Sequence, residues 1–263
     1  MSDKQGAAAM RSIVSEIEID APIEAVWKAL NDAQELTRWF PLEAGVNPDG
    51  TVWMSWGGAF RFEGKPEIVE PPHRLRSTGG PGGMATDITL EARGGKTHVR
   101  LVQSGFAPGA EWDTELDGTR RGWFFQLRGL KHYLERHRGT PRRVVWARRV
   151  ISVPRADAWK RLMSAQGLLH EGSLANLREG DRYRFGSADG DVLEGLVHRS
   201  EPPVDFIGTV ENLNDAFLRV QLDDLPMRDY KDVNLWLSTY GLPEAQVRGL
   251  EERWKVMLER LFA

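Results

Sequence analysis

Two stretches of this chain, "APIEAVWKALND" (residues 21–32) and "VPRADAWKRLMS" (residues 153–164), follow one pattern. Each contains a proline, four further residues, the pair Trp-Lys, one more residue and a leucine. Proline is favoured in the first turn of a helix, where its missing N–H has no partner to lose. We therefore predict a helix in each stretch, and their likeness raises the question of whether a whole domain is repeated.

The likeness extends along the chain at a nearly constant offset. Shifted by 131 residues, the Glu-Pro-Pro corner at 70–72 falls on the Glu-Pro-Pro corner at 201–203. The same shift carries three large residues near the end of the first half onto three near the end of the second: Trp123, Leu127 and Leu130 onto Trp254, Leu258 and Leu261. Matches at both ends and in the middle predict a duplication. We place the domains at 12–138 and 144–263, joined by "RGTPRR" (residues 138–143).

Hydrophobic periodicity gives the order of elements in the first half. "SIVSEIEID" (residues 12–20) alternates apolar and polar residues, as a strand with one solvated face does. Two helices, at 22–31 and 33–39, and five strand-like runs separated by turns follow. A long helix closes the half, with Trp123, Leu127, Leu130 and Leu134 on one stripe. This order predicts an antiparallel meander wrapped around a helix, of the α+β class.

Composition excludes several classes of protein. The chain has 35 Lys and Arg against 38 Asp and Glu, a formal net charge of −3, and neither half is basic, so we expect no nucleic-acid partner. It has no cysteine, which excludes disulfides and thiolate metal sites and favours a cytoplasmic location. No stretch has the length and apolarity of a membrane span, so we expect no membrane insertion.

Three motifs in order resemble a known family. They are "PIEAVWKAL" (residues 22–30), "WFP" (residues 39–41) and "SGF" followed by "EWDTELDGTRRGWFFQL" (residues 104–106 and 111–127). Together they resemble the SRPBCC, or START-like, superfamily, and within it the domain named after the activator of the heat-shock protein ATPase. The second half is similar only in outline, because "GLLHEG" (residues 167–172) replaces "ELTRWF" (residues 35–40). Its membership follows from the internal repeat.

The resemblance implies two helix-grip domains, each a curved antiparallel sheet wrapped around a long C-terminal helix. Such domains enclose a cavity that in relatives holds lipids, polyketides or other hydrophobic molecules. Phe60 and Phe62 are two apart and share one face of a strand, whereas Trp53 and Trp56 are three apart, so at most one lines the cavity in a regular strand. The alternative is that the rings fill the core. Candidate walls of the cavity are Trp39, Phe40, Trp53, Trp56, Phe60, Phe62, Met84, Trp112, Trp123, Phe124 and Leu127.

No motif for catalysis, a metal or a cofactor emerges. His132 and His137 are five residues apart, about 140° around a helix, which is unsuited to a shared metal. "GGPGG" (residues 79–83) precedes a strand rather than a helix, so we predict a hairpin loop and not a phosphate cradle. The acidic run at 111–117 suits the positive end of the long helix. We therefore predict no catalytic residues, no metal and no cofactor.

The sequence leaves three functions open. The first is non-catalytic binding of a hydrophobic small molecule (a lipid, polyketide or aromatic compound) by a carrier, sensor or sequestering protein. The first alternative is an enzyme resembling polyketide cyclases and aromatases or hydrolases. The second alternative is a cofactor of a chaperone ATPase, which the subfamily name suggests. For the enzyme, the polar residues to test are Arg61, Glu63, Gln103, Ser104 and Gln126.

We expect the two copies to differ in role. The second has Glu171-Gly172 in place of Trp39-Phe40, and a thinner aromatic set around Tyr183 and Phe185. The first copy is therefore expected to bind the ligand. The second is expected to support it through intramolecular packing of the two domains.

Overall fold

The computed structural model describes residues 10–57, 61–79, 83–225 and 230–263. The chain divides into two compact domains after Arg138. Each contains one seven-stranded antiparallel sheet and a long C-terminal helix. The predicted fold class, α+β with two helix-grip domains, is thus confirmed.

Domain 1 begins with a strand, continues through two helices and six strands, and ends in the long helix. Its sheet has the order β1-β7-β6-β5-β4-β3-β2. The elements are β1 (Arg11–Ile19), α1 (Ile23–Asn31), α2 (Ala33–Leu36), β2 (Glu43–Val46), β3 (Val52–Ser55), β4 (Arg61–Glu70), β5 (Arg74–Gly79), β6 (Ala85–Arg93), β7 (Lys96–Phe106) and α3 (Asp113–Arg136).

Domain 2 repeats this order with one helix fewer between its first two strands. Its sheet has the corresponding order β8-β14-β13-β12-β11-β10-β9. The elements are β8 (Arg142–Val150), α4 (Arg155–Leu162), β9 (Glu171–Gly172), β10 (Arg182–Gly186), β11 (Val192–Glu201), β12 (Asp205–Val210), β13 (Ala216–Leu225), β14 (Tyr230–Tyr240) and α5 (Glu244–Leu261).

The repeated stretches form α1 and α4, as predicted, with Pro22 and Pro154 immediately before the first helical residue. In α1 the apolar positions Ile23, Val26 and Leu30 are buried. Trp39, which follows α2, donates from Nε1 to the Ala29 carbonyl at 2.9 Å and so ties the chain back onto α1. Among the described helices, none is long and apolar enough to cross a membrane.

Some predicted boundaries were wrong. The structure adds β2, a four-residue strand that pairs with β3 and is too short to show a period in the sequence. The second helix ends at Leu36 instead of residue 39. In domain 2, Asp223 lies within β13 opposite Asp232 of β14.

The position of Asp223 makes the stability of domain 2 depend on pH. Burial raises the pKa of Asp223, and the neighbouring carboxylates Asp232 and Asp205 raise it further, against the lowering effects of Arg219 and of the hydrogen bond from Gln221. Because the folded pKa lies above the unfolded one, ionising Asp223 disfavours the folded state once pH exceeds the unfolded value.

Replacing this carboxyl by an amide should therefore stabilise the protein at neutral pH. We expect Asp223→Asn to raise the unfolding temperature at pH 7 and to have no effect near about pH 3, below the ordinary Asp pKa. We expect Asp49→Asn to lower the unfolding temperature at pH 7, because the hydrogen bonds of Thr51 lower the pKa of Asp49. Thermal unfolding from pH 3 to 8 tests both, and a loss of stability for Asp223→Asn at pH 7 would contradict the assignment.

Candidate functional site

A cluster of aromatic rings lies where α3 faces the sheet of domain 1. Phe40 is its centre, with ring centroids 5.1 Å from Trp39, 5.0 Å from Trp56 and 5.5 Å from Trp123. Phe62 of β4 continues the cluster, edge-on to Trp56 at 5.7 Å. Five residues from α3, β4 and the segments after α2 and β3 thus form one continuous apolar wall, which we call the aromatic wall.

The aromatic wall is incompletely covered. Phe62 lies on the face of the sheet that is directed toward α3, the inner face, yet its side chain is 44% exposed. Next on this face of β4, Gly64 carries no side chain, and an added Cβ would meet Ser77 at 3.8 Å without a clash. Apolar side chains on an inner face are normally packed, so this region of the domain is open.

Burial along α3 shows where the opening lies. Trp123, nearer the N-terminal end of the helix, is half-buried. One turn later Leu127 is 3% exposed, and Leu130 and Tyr133 beyond it are fully buried. The helix therefore seals the interior with its C-terminal half and leaves it open beside Trp123.

A hydrogen bond links the aromatic wall to β7. The indole Nε1 of Trp123 donates a hydrogen bond to Oε1 of Gln103 on β7. Nε2 of Gln103 is directed at the sulfur of Met84, 3.5 Å away. The indole nitrogen is only a donor, so its partner must be the amide oxygen, which fixes the orientation of Gln103.

The polar side chains on the inner face of β5, β6 and β7 are all uncharged: Ser77, Thr86, Thr97 and Gln103. The charged side chains of β5 and β6 lie on the outer face. There Arg74 and Asp87 form an ion pair at 2.8 Å, which lowers the pKa of Asp87. The interior thus presents apolar and neutral polar groups to anything that enters it.

Other predicted site residues lie elsewhere. Trp53 is on the outer face, over Gly45 and 4.4 Å from the guanidinium of Arg61, so of the two tryptophans only Trp56 joins the aromatic wall. Phe124 lies under the guanidinium of Arg128, 3.7 Å from its ring centre, about 100° around the helix from Trp123. Trp112 is half-buried just before α3.

Two predictions concern residues that the structure does not describe. Phe60, expected to share a strand face with Phe62, lies outside the described residues, and so do 80–82 of the glycine-rich stretch. The described part of that stretch, Gly79 and Gly83, flanks the connection between β5 and β6.

The acidic run before and within α3 is engaged in ion pairs. Asp113 accepts from Arg11 of β1 at 2.6 Å, and Asp117 accepts from Arg121 at 2.7 Å. Asp113 lies in the first turn of α3, where a carboxylate stabilises the positive end of the helix.

A polar network that the sequence did not reveal holds α2 against α3. Tyr133, fully buried, donates to Glu35 at 2.5 Å, and Arg38 donates to both Glu35 and Tyr133 at 3.1 and 3.2 Å. The hydrogen bond to Tyr133 and the charge of Glu35 raise the pKa of Arg38. The spacing of Glu35 and Arg38, three residues apart, was the available signal in the sequence. Their partner Tyr133 lies 95 to 98 residues further along the chain.

The predicted separation of His132 and His137 was wrong. Their ring centroids are 5.1 Å apart, because α3 ends at Arg136 and His137 leaves helical geometry with φ of −132°. Two imidazoles supply half of the four ligands that a structural zinc site takes. The absence of a metal stays a prediction.

In domain 2 the same region is filled by rings. The repeat offset of 131 relates Gly195 to Gly64. Tyr183 pairs with Gly195 and Val52 pairs with Gly64, so Tyr183 occupies the position of Val52. By the same registers Phe185 and Phe206 occupy the positions of Met54 and Leu75. Tyr183, Phe185 and Phe206 are at most 4% exposed and contact one another, with centroids 5.1 to 6.5 Å apart. Their domain 1 counterparts are half-buried.

The tyrosine of this group is tightly held. Its hydroxyl donates to the Thr209 carbonyl at 2.6 Å, and its ring lies over Gly208, where an added Cβ would come within 2.8 Å of it. The second copy thus has few rings in this region, and they close the interior.

Part of the chain matches a known family. Residues 20–135 match the family described as Activator of Hsp90 ATPase homolog 1-like protein. The matched residues all lie within domain 1. No curated protein matches the chain.

Several solved structures resemble part or all of the chain. Protein MLL2253 from Mesorhizobium loti is 27% identical, with a TM-score of 0.43, over 48% of this chain and 98% of its own. The di-domain ARO/CYC BexL from the BE-7585A biosynthetic pathway is 16% identical, with a TM-score of 0.42, over 96% of each chain. DynU16, a putative protein in the dynemicin biosynthetic locus, is 17% identical, with a TM-score of 0.43, over 94% of this chain and 95% of its own.

The difference in filling predicts a difference in stability. Phe206→Ala should lower the free energy of unfolding by about 3–5 kcal/mol, because it leaves a cavity in a packed core. Leu75→Ala at the matching position should lower it by about 1–2 kcal/mol, since a half-exposed side chain has less transfer energy to lose. Urea unfolding followed by circular dichroism measures both, and equal losses would mean that the two interiors are equally packed.

Proposed function

We propose that domain 1 binds an uncharged hydrophobic small molecule with an aromatic frame, between the inner face of its sheet and α3. Domain 2 takes no such molecule and has a supporting role. The bound molecule fills the space in domain 1 that Tyr183, Phe185 and Phe206 fill in domain 2.

The observation that carries this proposal is the exposure of Phe62. A ring on the inner face of a helix-grip sheet, in contact with Trp56 and 44% exposed, lacks the cover that the fold normally supplies. Stacked and edge-on rings at about 5 Å spacing favour planar aromatic partners by about 0.5–1.5 kcal/mol each. Apolar walls with a few placed polar groups are typical of small-molecule sites.

The neutral character of the occupant follows from the polar groups beside the aromatic wall. The inner face of β5 to β7 offers hydroxyls and the Gln103 amide. A charged ligand would lose its hydration there without gaining an ion pair, which is strongly unfavourable.

The enzyme alternative loses support from the positions of its candidate residues. Arg61 and Glu63 pair with each other at 3.1 Å on the outer face, and Ser104 belongs to the opposite face of β7 from Gln103. The two remaining candidates, Gln103 and Gln126, are amides, which do not act as general acids or bases at neutral pH. The chaperone alternative rests on the family name alone.

Tryptophan fluorescence tests the binding site directly. Titration with neutral aromatic compounds, such as flavones and naphthalene derivatives, should quench emission saturably. We expect Trp56→Phe to reduce the quenching amplitude, because this ring belongs to the aromatic wall, and Trp53→Phe, on the outer face, to leave it unchanged. A flat response across the panel, or equal effects of the two substitutions, would count against the proposal.

A substitution that copies domain 2 should close the site. We expect Val52→Tyr to weaken binding by about tenfold or more, because the ring would take the space that Tyr183 takes in domain 2 and displace the ligand. Val14→Tyr, at a 50% exposed position of β1, is the control and should not alter affinity. Undiminished binding by a folded Val52→Tyr variant would show that the ligand lies elsewhere.

A further inference from the structure

We propose that Gln103 and Gln126 form a donor–acceptor pair that selects aromatic ligands bearing a carbonyl or hydroxyl group. The inference rests on the proposed function of domain 1 and deepens it by assigning the groups that orient the ligand. Gln103 supplies the N–H donor and Gln126 the carbonyl acceptor.

The donor is available because of how Gln103 is held. Its oxygen is occupied by the indole of Trp123, which turns the two amide N–H groups toward Met84. A thioether sulfur at 3.5 Å is a weak acceptor. A ligand carbonyl beside Trp123 would be a better partner, so the pair of side chains forms a preoriented donor at the edge of the aromatic wall.

The acceptor is Oε1 of Gln126, which is buried and has no hydrogen-bond partner within the described residues of the protein. Gln126 follows Trp123 by three residues and precedes Leu130 by four, so it lies on the stripe of α3 that faces the interior. Buried polar atoms are nearly always paired. An unpaired carbonyl on this face of α3 is therefore suited to a ligand O–H or N–H.

Domain 2 shows that the fold does not need these amides. The registers of β1 with β7 and of β8 with β14 relate Gln103 to Leu237, and the repeat offset of 131 relates Gln126 to Met257. Both replacements are apolar and fully buried. The closed domain thus has apolar side chains where the open domain has amides.

The same comparison weakens a purely structural role for Gln103. Trp254, the counterpart of Trp123, is 1% exposed, and its Nε1 has no partner among the described residues. A helix-grip domain of this chain therefore folds with that indole N–H unpaired. Satisfying Trp123 does not by itself account for an amide on β7.

Calorimetric titration of the full chain with three naphthalenes tests the assignment. Naphthalene has no hydrogen-bonding group, and 2-acetylnaphthalene has a carbonyl that only accepts. The hydroxyl of 2-naphthol both donates and accepts. We expect the wild-type protein to bind each of the last two about three- to tenfold more tightly than naphthalene, as one net hydrogen bond allows.

The variants copy domain 2 at each position. Gln103→Leu should abolish the preference for 2-acetylnaphthalene. Gln126→Met should reduce the preference for 2-naphthol, whose oxygen can still accept from Gln103. Gln34→Leu, an exposed amide of α2, is the control and should change no affinity.

Each result has a distinct meaning. If naphthalene binds but the wild-type protein shows no preference among the three compounds, the donor–acceptor pair is refuted while the hydrophobic site stands. Preferences that survive both substitutions refute it as well. If none of the three compounds binds, the proposed function fails and this inference with it.

Discussion

The inner face of a seven-stranded sheet is wider than the helix that covers it. At a strand spacing of about 4.8 Å the sheet spans about 29 Å, whereas a helix with its side chains is about 10 Å across. The rest of the apolar face must be covered by other elements, by large side chains or by a bound molecule, because its exposure to water is unfavourable. The two domains meet this constraint differently.

Domain 2 meets it with its own residues, since Tyr183, Phe185 and Phe206 occupy the uncovered part of the face and are sealed from water. Domain 1 has Val52, Met54 and Leu75 at these positions, and the smaller side chains leave Phe62 exposed. Duplication explains how both solutions occur in one chain. With one interior closed by rings, the other is free to take a ligand and to carry the amides of Gln103 and Gln126.

Much of the fold could be predicted from the sequence. Pro22 with Trp27 and Pro154 with Trp159 placed the first helix of each domain, and period-two alternation separated Trp53 from Trp56. The site was harder to predict. Whether a ring lines a cavity or fills a core depends on the residue opposite it on the next strand, so counting aromatic residues could not show that Tyr183 and Phe185 close the interior of domain 2. The approach of His132 to His137 depends on where α3 ends, which helical periodicity does not show.

Native mass spectrometry of the chain purified from its own host measures the central claim most directly, because it counts bound molecules per chain. One open and one closed interior predict a single small-molecule adduct per chain, released on unfolding and uncharged in solution. Two equivalent adducts would show that domain 2 is also an open site. A chain that carries no adduct, and takes up none from an extract of its host, would contradict the account.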